Sequence, residues 1–351
     1  MEMLSTSDGD LKKAAMALSA GSLVAFPTET VYGLGADAFN VSALARVFEA
    51  KNRPHFDPLI IHIAEYSALS RIVETSALDS AAEQRLSILS QRLWPGPLTL
   101  ILPKRPELPA LATSGLATAA IRFPSHPVAQ KLICLSTGAV AAPSANLFGC
   151  LSPTRAEHVK DQLGEKVDFI VDGGRTTVGV ESTVLDLSRG QPRILRPGGT
   201  PREAIEALIG PVELSSPSQE NTTPLLPKIS PGQLKSHYAP RTPLVLCRPQ
   251  ELASLPVSPG EGRLYFSLPG NSLPGNSPSK REPPAASNTA SERIRILSET
   301  GDLAEAAANL FDMLHQLDSL GLSIIRAEKA PPYGLGLAIN DRLGRAEKGK
   351  E

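Results

Sequence analysis

The chain has 351 residues, 41% of them hydrophobic and 20% charged, and a formal net charge of −1. That length suits two globular domains or one with a large appendage, and the near-neutral charge argues against a protein that grips long nucleic acid by counterion release. Three scattered cysteines, Cys134, Cys150 and Cys247, offer neither a disulfide framework nor a zinc site; no long apolar run points to a secretory signal or a membrane span, so the expected compartment is the cytoplasm.

Short apolar runs bounded by Pro or Gly predict strands at Leu23–Phe26, Leu59–Ile63, Leu98–Leu102, Ala119–Phe123, Ala139–Ala142, Phe169–Val171, Thr183–Leu187 and Arg193–Leu195. Helical patterns lie between them. One covers Ala43–Ala50, with Ser42 as N-cap and Leu44, Val47 and Phe48 on one face. Another ends near Trp94, stopped by Pro95-Gly96-Pro97. A third opens at Thr200-Pro201, with Pro201 in the first helical position, and closes at Gly210. A domain at 7–210 is thus expected, then a linker at 211–242 that begins rich in Ser, Pro and Thr, then a smaller α/β domain at 243–347. In the latter, strands are expected near Leu244–Cys247, Arg263–Phe266, Arg293–Leu297 and Ile324–Ala327. Its helix Leu303–Leu317 carries Ala307, Leu310, Leu314 and Leu317 on one stripe. Residues 267–291 contain Ser-Leu-Pro-Gly-Asn twice and read as a low-complexity, disordered insertion in a surface loop.

Five features could carry chemistry. Gly33-Leu-Gly35-Ala-Asp-Ala38 matches G-x-G-x-x-A formally, but residues 27–32 separate it from the preceding strand and no helix opens directly after it, which disfavours a dinucleotide loop. Lys51-Asn-Arg53-Pro54 ends a helix; its cations suit either the helix dipole or a triphosphate, for which a lysine point charge beside a forked guanidinium is apt. Pro143-Ser144-Ala145-Asn146 follows an apolar strand, where ligands gather in open α/β sheets, though a local Ser or Asx turn uses the same residues. His62 in mid-strand is compatible with a satisfied core histidine. Arg122, ending the run Ala119–Ile121, is costly there unless an anion pairs with it.

Lys51-x-Arg53 with Ser144-x-Asn146 resembles the K-x-R…S-x-N tetrad of the YrdC-like family. Phe26-Pro-Thr-Glu-Thr-Val-Tyr-Gly-Leu-Gly35 is similar to that family's opening signature. Pro58–His62, Trp94–Thr99, Ala141–Asn146, Gly179–Thr183 and Leu195–Gly198 continue the likeness across residues 10–200. Pro231-Gly-Gln-Leu-Lys-Ser-His-Tyr-Ala-Pro240 and Gly334–Leu343 resemble the linker and the end of the C-terminal domain in the family's long form, the two-domain threonylcarbamoyl-AMP synthases.

The resemblance implies a YrdC-like twisted mixed sheet with flanking helices, joined by a linker to a smaller Rossmann-like α/β domain. It implies a nucleotidyltransferase that makes threonylcarbamoyl-AMP and pyrophosphate from L-threonine, bicarbonate and ATP, with Mg²⁺ accompanying the ATP. The product then feeds the tRNA-threonylcarbamoyl transferase machinery. Lys51, Arg53, Ser144 and Asn146 are the implied catalytic set. ATP is assigned to Lys51, Arg53, Asp57, Thr118, Ser144, Ser152, Arg196 and Tyr238, and L-threonine to Thr28, Thr30, His62, Arg122, Ala142 and Ser182. Asp57 departs from the neutral Asn or Ser common in the family, and a carboxylate there repels a triphosphate unless Lys51 or a metal intervenes. The linker, with Tyr238, is expected to lie over the active site. Two other readings stand beside this one. An RNA-binding module lacks a basic field and, at 4% aromatic residues, stacking platforms. A carbamoyl-adenylate-forming enzyme lacks the zinc-finger and acylphosphatase-like segments of related maturation proteins.

Overall fold

Many of the apolar runs are three or four residues long, too short to hold as strands without neighbours. The computed structural model describes residues 1–215, 237–256, 258–268 and 292–349. It divides them into two units. The first holds 1–148, 152–177 and 181–215; the second holds 149–151, 178–180 and the described residues from 237 onward.

The first unit contains β1 (Glu2–Leu4), β2 (Val24–Phe26), β3 (Gly33–Asp37), β4 (Ile60–Ile63), β5 (Leu98–Pro103), β6 (Thr118–Arg122), β7 (Ala139–Ala141), β8 (Phe169–Val171), β9 (Thr183–Asp186), β10 (Arg193–Arg196) and β11 (Glu213–Leu214). They form one sheet in the order β1-β8-β2-β3-β7-β4-β6-β5-β9-β10-β11. Its pairings are mixed: β4 runs parallel to β6, while β7 and β5 flank that pair antiparallel. Strands in the middle of such a sheet are covered on both faces, so β4 reads Ile-Ile-His-Ile without polar alternation. Around it lie α1 (Asp8–Ser19), α2 (Val41–Lys51), α3 (Ser80–Leu93), α4 (Pro127–Leu135), α5 (Ala156–Leu163) and α6 (Arg202–Ile209).

Local chemistry moved several boundaries. The N-cap of α2 is Asn40, not Ser42: its Oδ1 accepts from the Ala43 amide at 3.1 Å, and the helix starts one residue earlier than Ser42. Pro201 stands at the N-cap of α6 with extended ψ of 147°, one place before the first helical position. Glu213–Leu214, within the stretch expected as linker, instead closes the sheet beside β10, because the exposed edge of β10 offers ladder partners such as the Ile194 carbonyl to the Ser215 amide at 2.9 Å. The rest of the linker, 216–236, and residues 269–291 of the insertion lie outside the described residues.

Gly33–Asp37 is itself a strand, which removes the loop a dinucleotide would need. Gly35 is there for space. A Cβ on it would stand 2.7 Å from the Phe26 ring and 3.0 Å from Val140 Cγ1.

The second unit has β12 (Leu244–Cys247), β13 (Glu261–Tyr265), β14 (Ile294–Ile296) and β15 (Ile324–Glu328), all parallel, in the order β12-β15-β13-β14. Helices α7 (Pro249–Ser254), α8 (Leu303–Asp318) and α9 (Gly336–Glu347) accompany them. A parallel sheet with helical crossovers is the Rossmann-like arrangement expected for it. Among the described residues no helix is long and apolar enough to cross a membrane.

Candidate active site

Helix α2 ends at Asn52, whose left-handed backbone (φ 52°) turns the chain so that the Arg53 amide bonds back to the Phe48 carbonyl at 2.8 Å. Lys51 is buried. Its Nζ donates to the Ser144 carbonyl at 2.5 Å and to the Asn146 carbonyl, and its own carbonyl receives the Phe148 amide at 2.8 Å. The exit of β7 is thereby fastened to the end of α2, and Lys51, Ser144 and Asn146 come together. Arg53 Nε donates to the Asp57 carbonyl at 3.0 Å and Nη2 to the Pro58 carbonyl at 2.8 Å, while Nη2 also lies 2.9 Å from Asp57 Oδ2. Asp57 is fully buried against that guanidinium.

A second group forms at the centre of the sheet. Thr28 closes the β2–β3 connection: its hydroxyl donates to the Val31 carbonyl at 2.7 Å and lies 2.8 Å from the Thr30 hydroxyl. Arg122, the last residue of β6, donates from Nη1 to Thr30 Oγ1 at 2.8 Å and brings Nη2 within 2.7 Å of Glu29 Oε1. His62 is its register partner on β4. Burial first, and the Arg122 charge second, push the His62 imidazole down to about 3, so the ring is neutral near pH 7. Its Nδ1 lies 3.2 Å from the Ile60 carbonyl, which can only accept, so Nδ1 carries the proton and Nε2 is the acceptor. On the other flank of Arg122, its β5 partner Thr99 lies hydroxyl to hydroxyl with Ser182 at 2.7 Å. Arg196 Nη2 donates to the Ser182 carbonyl at 2.9 Å. The Ala142 amide bonds to the Ile60 carbonyl at 2.9 Å, tying the exit of β7 to the His62 strand.

Thr28, Thr30 and Arg122 are thus linked by hydrogen bonds with His62 beside them in register, while Thr99, Ser182 and Arg196 form a second linked set from the neighbouring strand onward. Ser152 is also buried and donates to Glu181. Thr118 stands apart: it begins the strand that Arg122 ends, roughly 13 Å away at the rise of a strand. Tyr238 belongs to the second unit. Its buried ring packs 4.1 Å from His237, 5.7 Å from Phe311 and 5.1 Å from the Arg342 guanidinium.

Sequence reasoning passed over Glu29, Glu181 and Thr99. The two glutamates stand inside stretches already singled out, and a carboxylate between small or apolar neighbours asks for a partner. Thr99 carries no such signal. Among the described residues no group of three His, Cys, Asp or Glu could hold a metal. The Ser144 hydroxyl and the Asn146 amide oxygen would offer hard oxygen ligands to a Mg²⁺.

The family model described as telomere recombination, which takes in Sua5, YciO and YrdC, matches residues 16–198. The threonylcarbamoyl-AMP synthase C-terminal domain matches residues 200–347. Threonylcarbamoyl-AMP synthase of Bacillus subtilis is 42% identical over 351 residues, spanning 99% of this chain and 95% of that protein. The Pyrococcus abyssi protein of the same name is 40% identical over 337 residues, 96% of this chain and 93% of its own length. The crystal structure of Pyrococcus abyssi Sua5 complexed with L-threonine matches with a TM-score of 0.82 at 36% identity, covering 99% of this chain and 98% of that one. With both halves matched in order over nearly its full length, the chain belongs to the Sua5/YciO/YrdC family in its two-domain, threonylcarbamoyl-AMP synthase form.

Proposed function

We infer that the chain is an L-threonylcarbamoyladenylate synthase, joining L-threonine, bicarbonate and ATP into threonylcarbamoyl-AMP and pyrophosphate for tRNA modification. The observation that carries this reading is the buried Arg122, held between Thr30 and Glu29 beside a neutral His62, in a chain of full-length likeness to named synthases. A forked guanidinium in that setting takes a carboxylate in two-point fashion.

The chemical problem is charge. The threonine amine and bicarbonate give an N-carboxylate with loss of water, and its oxygen attacks the α-phosphorus of ATP while the bond to the pyrophosphate oxygen breaks. An anion must approach an anion. Lys51, fixed at the β7 exit, and Arg53, fixed on the Asp57–Pro58 backbone, offset that repulsion with no reorganisation during reaction. Asp57 orients Arg53 toward the nucleotide. Ser144 and Asn146 hold phosphate oxygens; Thr118, Ser152 and Arg196 contact the remainder of the nucleotide. Arg122 fixes the threonine carboxylate, Thr28, Thr30 and His62 frame the amino acid, and Ala142 and Ser182 line its pocket. Mg²⁺, arriving with ATP, supplies further neutralisation of the phosphates. A tRNA-threonylcarbamoyl transferase system takes up the product. ATP, bicarbonate and tRNA meet in the cytoplasm, the proposed place of work.

The test is pyrophosphate release with ATP, bicarbonate and each amino acid in turn. Release should need both bicarbonate and L-threonine, and the threonine methyl should contribute about 1–3 kcal/mol over serine in a fitted apolar pocket. Equal rates with serine, or turnover without bicarbonate, sink the reading.

A further inference from the structure

We propose that Glu29 is the positioning residue of the amino-acid subsite, setting the plane in which Arg122 meets the threonine carboxylate. The proposal rests on the functional reading above, which names Glu29 only as a neighbour of Arg122, and gives that residue a role of its own. Arg122 has five N–H donors in a rigid fork. One, on Nη1, is given to Thr30, and Nη2 lies 2.7 Å from Glu29 Oε1. Nε is buried with no hydrogen-bond partner among the described residues, and both Glu29 oxygens are in the same condition, so short-range charge rather than an aligned hydrogen bond holds the pair. Only 3% of Arg122 and 5% of Glu29 is exposed.

Both partners sit on braced backbone. Arg122 ends a strand paired on both sides, with His62 on one flank and Thr99 on the other. Glu29 lies in the β2–β3 connection, which is tied internally by Thr28 and again by Tyr32, whose hydroxyl donates to the Gly174 carbonyl at 2.7 Å and accepts from the Gly173 amide at 3.2 Å. Gly173 packs so closely on Pro27 that a Cβ there would lie 2.6 Å from the proline ring. The carboxylate is therefore a fixed point, not a mobile counter-ion. A guanidinium anchored at Nη1 and Nη2 can turn neither about its long axis nor toward another anion. The edge left over, around Nε, is where a second carboxylate satisfies a buried donor.

The experiment compares the full chain with Glu29→Gln and Glu29→Asp, reading threonine KM and kcat by pyrophosphate release, ATP affinity by calorimetry, and melting temperature. Glu29→Gln should raise the threonine KM about tenfold or more, the scale of a charge-assisted contact, with ATP affinity and kcat within about threefold of wild type. Glu29→Asp, which keeps the charge, should recover part of that loss, and it decides the matter alone if Glu29→Gln does not fold. An unchanged threonine KM in both overturns the proposal. So does a parallel loss of threonine and ATP affinity with a lowered melting temperature, which marks a residue serving only the fold. A fall in kcat at constant KM overturns it too, placing Glu29 in the chemistry itself. Wild-type enzyme with no threonine-dependent turnover sinks the functional reading instead, and this proposal with it.

Discussion

Arg122 and His62 are register partners, and burial beside that guanidinium decides the state of the histidine. The imidazole is held near 3. An unfolded chain protonates this histidine near its ordinary value of about 6.5. As pH falls below that value the unfolded state takes up a proton that the folded state refuses. Stability from His62 is thus complete above pH 6.5 and drains away toward pH 3. His62→Asn should flatten that part of the acid limb: urea unfolding at pH 7, 5.5 and 4.5 should show a smaller drop than wild type, and an identical slope contradicts the buried, neutral ring. Arg122→Lys is the complementary change. A lysine cannot span Thr30, Glu29 and a substrate carboxylate together, so threonine binding should weaken by about 1.5–3 kcal/mol while ATP binding holds. Calorimetric titration showing loss of ATP binding instead reassigns Arg122 to the nucleotide.

Strands show what side-chain pattern can and cannot announce. Phe169–Val171 and Leu244–Cys247 were legible residue for residue, because apolar β-branched and aromatic runs between turn residues have few other uses. β3 was not, since two of its five residues are glycine and glycine argues against strands on propensity. What places Gly35 there is the bulk of Phe26 and Val140, a fact of packing that no local window contains. Each half of the expected tetrad is a compact motif visible in sequence, and the structure joins the lysine to the backbone of the Ser-x-Asn half. Glu29 was not singled out because its partner lies far along the chain on another strand. The glycines yield a paired prediction. Gly35→Ala meets side-chain atoms and should cost about 1–3 kcal/mol by overpacking. Gly198→Ala places its Cβ 2.3 Å from the backbone of Glu181 and Ser182, which cannot rotate aside. It should lower the melting temperature further and also raise the threonine KM, because Ser182 must shift. Thermal melts and threonine kinetics on both variants check this; a milder Gly198→Ala contradicts it.

Across the whole molecule, Tyr238 has two possible duties that one substitution can separate. Its ring is buried against Phe311 and Arg342 with a left-handed backbone (φ 62°), so Tyr238→Ala mixes a packing loss of about 3–5 kcal/mol with any effect on the nucleotide. Tyr238→Phe keeps the ring and removes the hydroxyl. If that hydroxyl serves ATP, the KM for ATP should rise severalfold and adenylate yield should fall below pyrophosphate release as unprotected product hydrolyses; wild-type values for both sink the covering role. The order of strands in the larger sheet has a consequence of another kind. Glu2–Leu4 pairs with Phe169–Val171, and Leu98–Ile101 with Thr183–Asp186, so neighbours in space are made far apart in time. At about 5–20 residues per second, roughly 10–40 s of synthesis must pass before the strand bearing Arg196 can dock. Until then the apolar central strands wait on the ribosome with open edges, a prolonged demand on chaperones. A chain cut short before Arg196 should accordingly lack the strand that pairs with Thr183–Asp186 and the contact to the Ser182 carbonyl, so threonine recognition arrives late, with the closing of the sheet.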